Sequence, residues 1–285
     1  MFLRKQEQEN TVKVFSPAKI NLTLEILGKR PDGYHDLFTI FKTIQLADEL
    51  TINWISGERR LHCSHSEVPL GDENLIFKAV RAIEKEVGFP VPVEIFLEKK
   101  IPIGAGLGGG SSNAAAVLRI LGEKYHFSEE KLNSLSAELG ADVPFFLQGG
   151  TAFGRGKGDE LEPLPSFPSF PLVLIKPHFS ISTAFAYRQI RSYTYGENSL
   201  KLSQSLKQGE FQDLFRYFVN DFEPHLFPLY PQLEQIKNLF MENGALAAQV
   251  SGSGSALFAV VSDEKHALNL AEKVKDFGEV WVTRT

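Results

Sequence analysis

Cysteine is nearly missing from this sequence, with Cys63 the only one among 285 residues. No internal disulfide can form, so the fold rests on its core and a reducing compartment is expected. Positive charge is not in excess either. The 35 acidic residues outnumber 30 basic ones and leave a net charge of −5, which excludes general nucleic-acid binding through a broad basic face. Anion binding, if any, must be local. Residues 1–10 lack an apolar targeting segment, and Glu7 and Glu9 argue against a transit peptide. The one long uncharged stretch, residues 243–262, is broken at its centre by Ser251-Gly252-Ser253-Gly254-Ser255. A membrane-spanning helix would not carry that polar block at mid-bilayer. A cytoplasmic protein with no membrane partner is expected. No fixed-period repeat is present. The 43% hydrophobic and 23% charged content is that of an ordinary globular protein, and the length suggests about two domains.

What is present, strands and helices in both halves, suggests two α/β or α+β domains. Residues 12–15 and 21–26 read as strands, with Leu22, Leu24 and Ile26 on one face. Lys29-Arg30-Pro31-Asp32-Gly33 reads as a turn before apolar runs at 37–44 and 50–55. A helix is predicted over 74–87 and a strand over 93–97. Helices follow over 113–121 and from Ser128 to a stop at Gly140, with Ser128 as N-cap. Pro163, Pro165, Pro168 and Pro171 mark the expected boundary between a first domain, 1–162, and a second, 163–285. Beyond it lie a strand at 172–175, helical stretches over 200–241, a β-loop-β unit around 251–255, a helix at 264–274 and a last strand.

The segment Pro102-Ile103-Gly104-Ala105-Gly106-Leu107-Gly108-Gly109-Gly110-Ser111-Ser112 carries the most information. Clustered glycines let backbone N–H groups converge on a polyphosphate, and the following helix N-terminus adds its own donors. A flexible linker is the plainer alternative. No Lys-Ser or Lys-Thr follows the glycines, so this is not a Walker A loop. The G-x-G-x-x-G match at 104–109 lacks the second strand with its acidic ribose partner, so a dinucleotide fold is excluded too. Asp276-Phe277-Gly278 has no His-Arg-Asp before it and no room for an activation loop after it, and reads as a turn.

The loop and the Ala-rich helix it opens resemble the GHMP kinases. Ser16-Pro17-Ala18-Lys19-Ile20-Asn21-Leu22, Arg30-Pro31-Asp32-Gly33-Tyr34-His35, Gly140-Ala141-Asp142-Val143-Pro144-Phe145-Phe146 and the 251–255 block extend that resemblance over residues 12–258. They are similar to a branch that acts on a cytidine-diphosphate sugar alcohol. The resemblance implies an α+β, two-domain protein with an N-terminal ATP-binding domain (ribosomal-protein-S5-like) and a C-terminal α+β sandwich. It places the active site in the cleft between them. The implied reaction is transfer of a phosphoryl group from ATP, accompanied by Mg²⁺, to the 2-hydroxyl of a methylerythritol unit in the non-mevalonate isoprenoid route.

Residue roles follow from the same resemblance. Asp142, otherwise a capping aspartate, takes the proton of the attacking hydroxyl. Lys19, otherwise a solvated lysine, neighbours that aspartate and stabilises the transferring charge. Asn21, on the same strand face as Lys19, positions the hydroxyl. His35 reads the cytosine edge beside Tyr34, and an aromatic stacks on the base; Tyr187 aligns best, with Phe185 as a rival and Thr183 near the erythritol. Residues 102–112 hold the ATP phosphates, and Asn74 and Lys99 lie on the adenine side. Arg155 and Lys157 stay outside this site as a solvated turn. His62-Cys63-Ser64-His65 is too sparse and crowded for a structural zinc, and no residue is expected to be a dedicated metal ligand.

Overall fold

The computed structural model describes residues 5–8 and 10–285, with side chains described from Asn10 onward. The chain forms two compact units, neither continuous in sequence. The first comprises residues up to Ala18, Leu46–Ile101 and Gly108–Gly149; the second comprises Lys19–Gln45, Pro102–Leu107 and Gly150–Thr285. The proline-rich stretch after Leu164 therefore lies within the second unit rather than at a point where one unit ends. The reason is that two long strands, β2 (Thr11–Lys29) and β3 (His35–Trp54), each contribute to both units.

The sequence reading breaks both strands, and the structure joins them. Pro17 is the apparent interruption in β2. It sits on the half-exposed face between buried Ser16 and Ala18, where a missing N–H is tolerated.

In the first unit, β1 (Lys5–Gln8) pairs antiparallel with the start of β2. The C-terminal half of β3 pairs antiparallel with β5 (Val93–Glu98), which pairs in parallel with β4 (Arg60–Cys63). Helix α1 (Leu75–Val87) buries Ile76, Phe77, Ala79, Val80 and Ile83 along one face; the Asn74 side chain caps its N-terminus and Gly88, at φ 80°, closes it. It packs on α2 (Gly109–Lys124), which also meets α3 (Glu129–Leu139) and α4 (Val143–Gln148). Helix α2 is nearly all buried and rich in small residues because it is enclosed on several sides. Gly122 lets α3 approach closely, since a Cβ there would stand 2.4 Å from the Leu132 side chain and force it to shift.

In the second unit, the N-terminal half of β3 pairs with β6 (Thr151–Arg155), which forms a hairpin with β7 (Glu160–Leu164). An antiparallel sheet in the order β10 (Ala247–Val250), β11 (Leu257–Val260), β8 (Pro171–Pro177), β12 (Gly278–Arg284) follows. Helices α8 (Pro231–Glu242) and α9 (Glu264–Val274) pack on it. Leu24 and Ile26 of β2 join Val173, Ile175, Val250, Leu233, Ile236 and Phe240 in its core. Helices α5 (Thr183–Gln189), α6 (Glu197–Gln208) and α7 (Glu223–Leu226) also belong to the unit, with β9 (Val219–Asn220) parallel to β2.

Candidate active site

The glycine loop hands the chain from the second unit back to the first between Leu107 and Gly108. In the first unit, Gly108 adopts φ 70° at the N-cap of α2, a conformation that favours glycine. The helix begins at Gly109, four residues earlier than its periodicity suggests, so Gly110, Ser111 and Ser112 form its first turn. The first N–H groups of a helix have no intrahelical partner, and the helix dipole adds positive potential there. Ser112 is 2% exposed. Among the described residues its Oγ is the only buried side-chain polar atom without a hydrogen-bond partner. A buried hydroxyl left unpaired costs stability unless something else occupies that position.

Asp142 stands at the N-cap of α4 in a right-handed helical conformation, and its side chain does not cap the helix. It is half-buried, and no hydrogen bond or ion pair engages its carboxylate among the described residues. The plainer capping role is therefore unfilled. Asn74 and Lys99 differ, because both are committed to the fold. The Asn74 amide accepts from the Ile76 N–H at 2.9 Å and donates to the Pro69 carbonyl at 2.6 Å. Lys99 donates to Asp48 at 2.7 Å and to the Ile101 carbonyl. Burial holds its pKa below the ordinary lysine value, with Asp48 opposing that shift.

In the second unit, Lys19 is 4% exposed. Its ammonium donates to Asn21 Oδ1 at 2.7 Å, and its backbone N–H donates to the Leu107 carbonyl at 3.0 Å. Asn21 in turn donates to Thr39 Oγ1 at 2.7 Å, and Thr39 donates to the Thr23 carbonyl at 2.6 Å. This chain of donors fixes both side chains on one face of β2, as strand alternation predicts. The serine-glycine loop 251–255 packs directly on the glycine loop. Ser251 Oγ donates to the Gly106 carbonyl at 3.2 Å, and the Ala256 N–H reaches the Ala105 carbonyl at 3.2 Å. A Cβ on Gly106 would lie 2.2 Å from the Ser251 carbonyl oxygen, so this approach requires glycine.

The aromatic residues of the second unit group around His35. Its ring stacks on Tyr187 with centroids 5.0 Å apart, and Tyr193 stands 6.2 Å away. Tyr187 also meets Phe222 edge-on at 4.9 Å. Phe185 meets Tyr230 edge-on at 6.3 Å and, like Tyr187, packs against the core. Burial first, then the Lys29 charge, hold the His35 pKa below the ordinary histidine value. Tyr34 is 62% exposed, with the Lys157 ammonium 5.0 Å above its ring. Thr183 meets Ser253 hydroxyl to hydroxyl at 3.0 Å. Sequence reasoning misses Tyr193, Thr39 and Asp48; the alternation that places Asn21 on its strand face is the one signal that points toward Thr39.

His62 stacks on Phe96 and pairs with Glu94 rather than with its sequence neighbours. Among the described residues no group of three or more His, Cys, Asp or Glu side chains could hold a metal ion. Among the same residues no helix is long and apolar enough to cross a membrane.

Comparison with known proteins matches residues 74–150 to the family described as GHMP kinases N terminal domain, and residues 202–280 to GHMP kinases C terminal. The 4-diphosphocytidyl-2-C-methyl-D-erythritol kinase of Pelotomaculum thermopropionicum is 40% identical over 283 residues, covering 96% of this chain and 98% of that one. Its counterpart in Prosthecochloris aestuarii is 41% identical over 271 residues, covering 93% and 94%. A crystal structure of 4-(cytidine 5'-diphospho)-2C-methyl-D-erythritol kinase superposes with a TM-score of 0.81 at 36% identity, covering 95% of this chain and 98% of that one. Homoserine kinase from Cytophaga hutchinsonii, at 20% identity and TM-score 0.76, shares the fold.

Proposed function

The chain belongs to the GHMP kinases, in their 4-diphosphocytidyl-2-C-methyl-D-erythritol kinase branch, and from that membership we propose how its residues perform the reaction. It is an ATP-dependent phosphotransferase of isoprenoid biosynthesis that phosphorylates the 2-hydroxyl of 4-diphosphocytidyl-2-C-methyl-D-erythritol. The observation that carries this reading is the near-full-length likeness to kinases of that name, at 40% identity.

In this reading the amides of residues 102–112 and the N-terminus of α2 hold the triphosphate. Asp142 accepts the proton as the 2-hydroxyl oxygen attacks the γ-phosphorus and ADP leaves. Its unengaged carboxylate supports that role. Lys19 stabilises the charge spread over the transferring group, and Asn21 orients the hydroxyl. Asn74 and Lys99 shape the adenine side, since their polar atoms already have protein partners. Tyr34, His35, Thr183 and Tyr187 bind the acceptor, with Tyr187 stacking on cytosine. A neutral His35, which its lowered pKa favours, can offer one donor and one acceptor to the base edge.

The residues fit a metal that comes with the nucleotide rather than one caged by carboxylates. The Ser112 hydroxyl, a hard oxygen donor with no protein partner, would take its place in that coordination. An Mg²⁺ ion held there with the nucleotide would supply positive charge to offset that of the phosphates. The setting in this reading is the cytoplasm, and the substrates are small molecules.

The test is to incubate the purified protein with ATP and the cytidine substrate and measure ADP. Turnover is expected; turnover of homoserine or mevalonate instead would overturn the reading. Cytidine diphosphate, and not uridine diphosphate, should protect against thermal unfolding.

A further inference from the structure

Asp48 is fully buried, and its carboxylate accepts four hydrogen bonds, two at each oxygen. Oδ1 takes the backbone N–H groups of Lys100 at 2.7 Å and Ile101 at 2.8 Å. Oδ2 takes the Lys99 ammonium at 2.7 Å and the Asn113 side-chain amide at 2.9 Å. Lys100 and Ile101 immediately precede the glycine loop, and Asn113 immediately follows it. The same Asn113 amide donates to Ser16 Oγ at 2.6 Å, tying the start of α2 to the Ser16-Pro17-Ala18 segment.

Lys99 stands where electrostatics disfavour it. A Cβ on Gly109 would lie 3.0 Å from its ammonium, so a cation faces the first turn of α2, the positive end of the helix dipole. Asp48 offsets that repulsion and keeps the ammonium there. An anion arriving at the same turn would gain from the helix N-terminus. A glycine-rich loop held at one end only would sample many conformers, and fixing both ends removes much of that freedom.

We propose that Asp48 is the positioning residue of the phosphate loop. It holds the two ends of the loop in the arrangement that receives the triphosphate, and pins Lys99 beside them, without touching the nucleotide. This rests on the reading of that loop as the ATP site.

The test compares ADP affinity by calorimetry and steady-state kinetics in wild type, D48N and the exchanged pair D48N/N113D. In D48N the oxygen can still accept the two backbone amides, but the new NH₂ faces the Lys99 and Asn113 donors. ADP Kd and KM for ATP should rise by about tenfold or more, in line with the ~100-fold cost that a misplacement of 1 Å can carry. KM for the cytidine acceptor should stay within about twofold, because the loss is confined to one substrate. The exchanged pair restores an acceptor opposite a donor and should recover most of the loss. A D48N protein that is less heat-stable but binds ADP as tightly as wild type would overturn the proposal. If D48N does not fold, N113A, which leaves the carboxylate three partners, decides the matter: weaker ADP binding supports the proposal and unchanged binding overturns it. Absence of ADP binding by wild type would remove the kinase reading as well, whereas normal wild-type binding with indifferent variants removes this proposal alone.

Discussion

The imidazole of His35 lies flat against the phenol of Tyr187, with the two planes 18° from parallel. Residues far apart in sequence are thereby held as a ready aromatic surface at the end of α5. Tyr187→Ala should raise KM for the cytidine substrate by roughly tenfold or more, since base–aromatic stacking contributes ~1–3 kcal/mol. Tyr187→Phe keeps the ring and should stay near wild type, and KM for ATP should be unmoved in both. Steady-state kinetics with each substrate varied in turn would show this; an equal rise for ATP would argue against a cytosine role.

The pH behaviour of His35 has a definite sign. Its folded pKa lies below the ordinary value of 6.5, through burial first and the Lys29 charge second. The unfolded chain therefore holds this proton more tightly than the folded one. The stability tied to neutral His35 is present above the unfolded value and is lost as pH falls through the lower folded value. Lys29→Met removes the like charge and should move the NMR titration midpoint of His35 upward. A midpoint that does not move would assign the whole shift to burial.

Ser112→Ala should separate stability from activity. The hydroxyl is buried and unpartnered in the free protein, and an unsatisfied buried polar group costs about 1–3 kcal/mol. Removing it should leave the ligand-free protein at least as stable, read as an equal or higher Tm, while KM for ATP rises. A fall in Tm without ligand would show that the hydroxyl is already satisfied.

Asp142→Asn keeps shape and removes the base. Turnover should drop by about 10²–10⁴-fold, the range typical of a lost general base, while calorimetry should find ADP binding nearly unchanged. Because the Asp142 side chain does not cap α4, Tm should barely change. A large loss of Tm would return Asp142 to a structural role.

The elements legible in the sequence are those built from local interactions. Helix α3 announces itself through Ser128, whose side chain caps it as the pattern suggests, and α1 through its apolar spacing, although Asn74 caps that helix rather than starting it. Helices α4 and α5 span six and seven residues, too short for a 3.6-residue period to register. The hairpin β6–β7 was hidden by glycines and charges that read as a turn, and Pro163 lies within its second strand. At the site, strand alternation was enough to put Lys19 and Asn21 on one face. Asp48 was invisible for the opposite reason. Its partners stand at residues 99–101 and 113, and nothing beside it in Leu46-Ala47-Asp48-Glu49-Leu50 marks the acid that will be buried.

The interleaving of the two units also sets an order for synthesis. By the time Gly149 has left the ribosome, every segment of the first unit exists. The second is in a different position, because Leu24 and Ile26 belong to a core whose other members begin at Val173 and run to Val274. At ~5–20 residues per second, those apolar side chains wait on the order of ten seconds or more for their partners to be made. A nascent chain of this protein thus carries an early-made, late-satisfied strand, whose apolar side chains stay without their core until the C-terminal part of the chain is made.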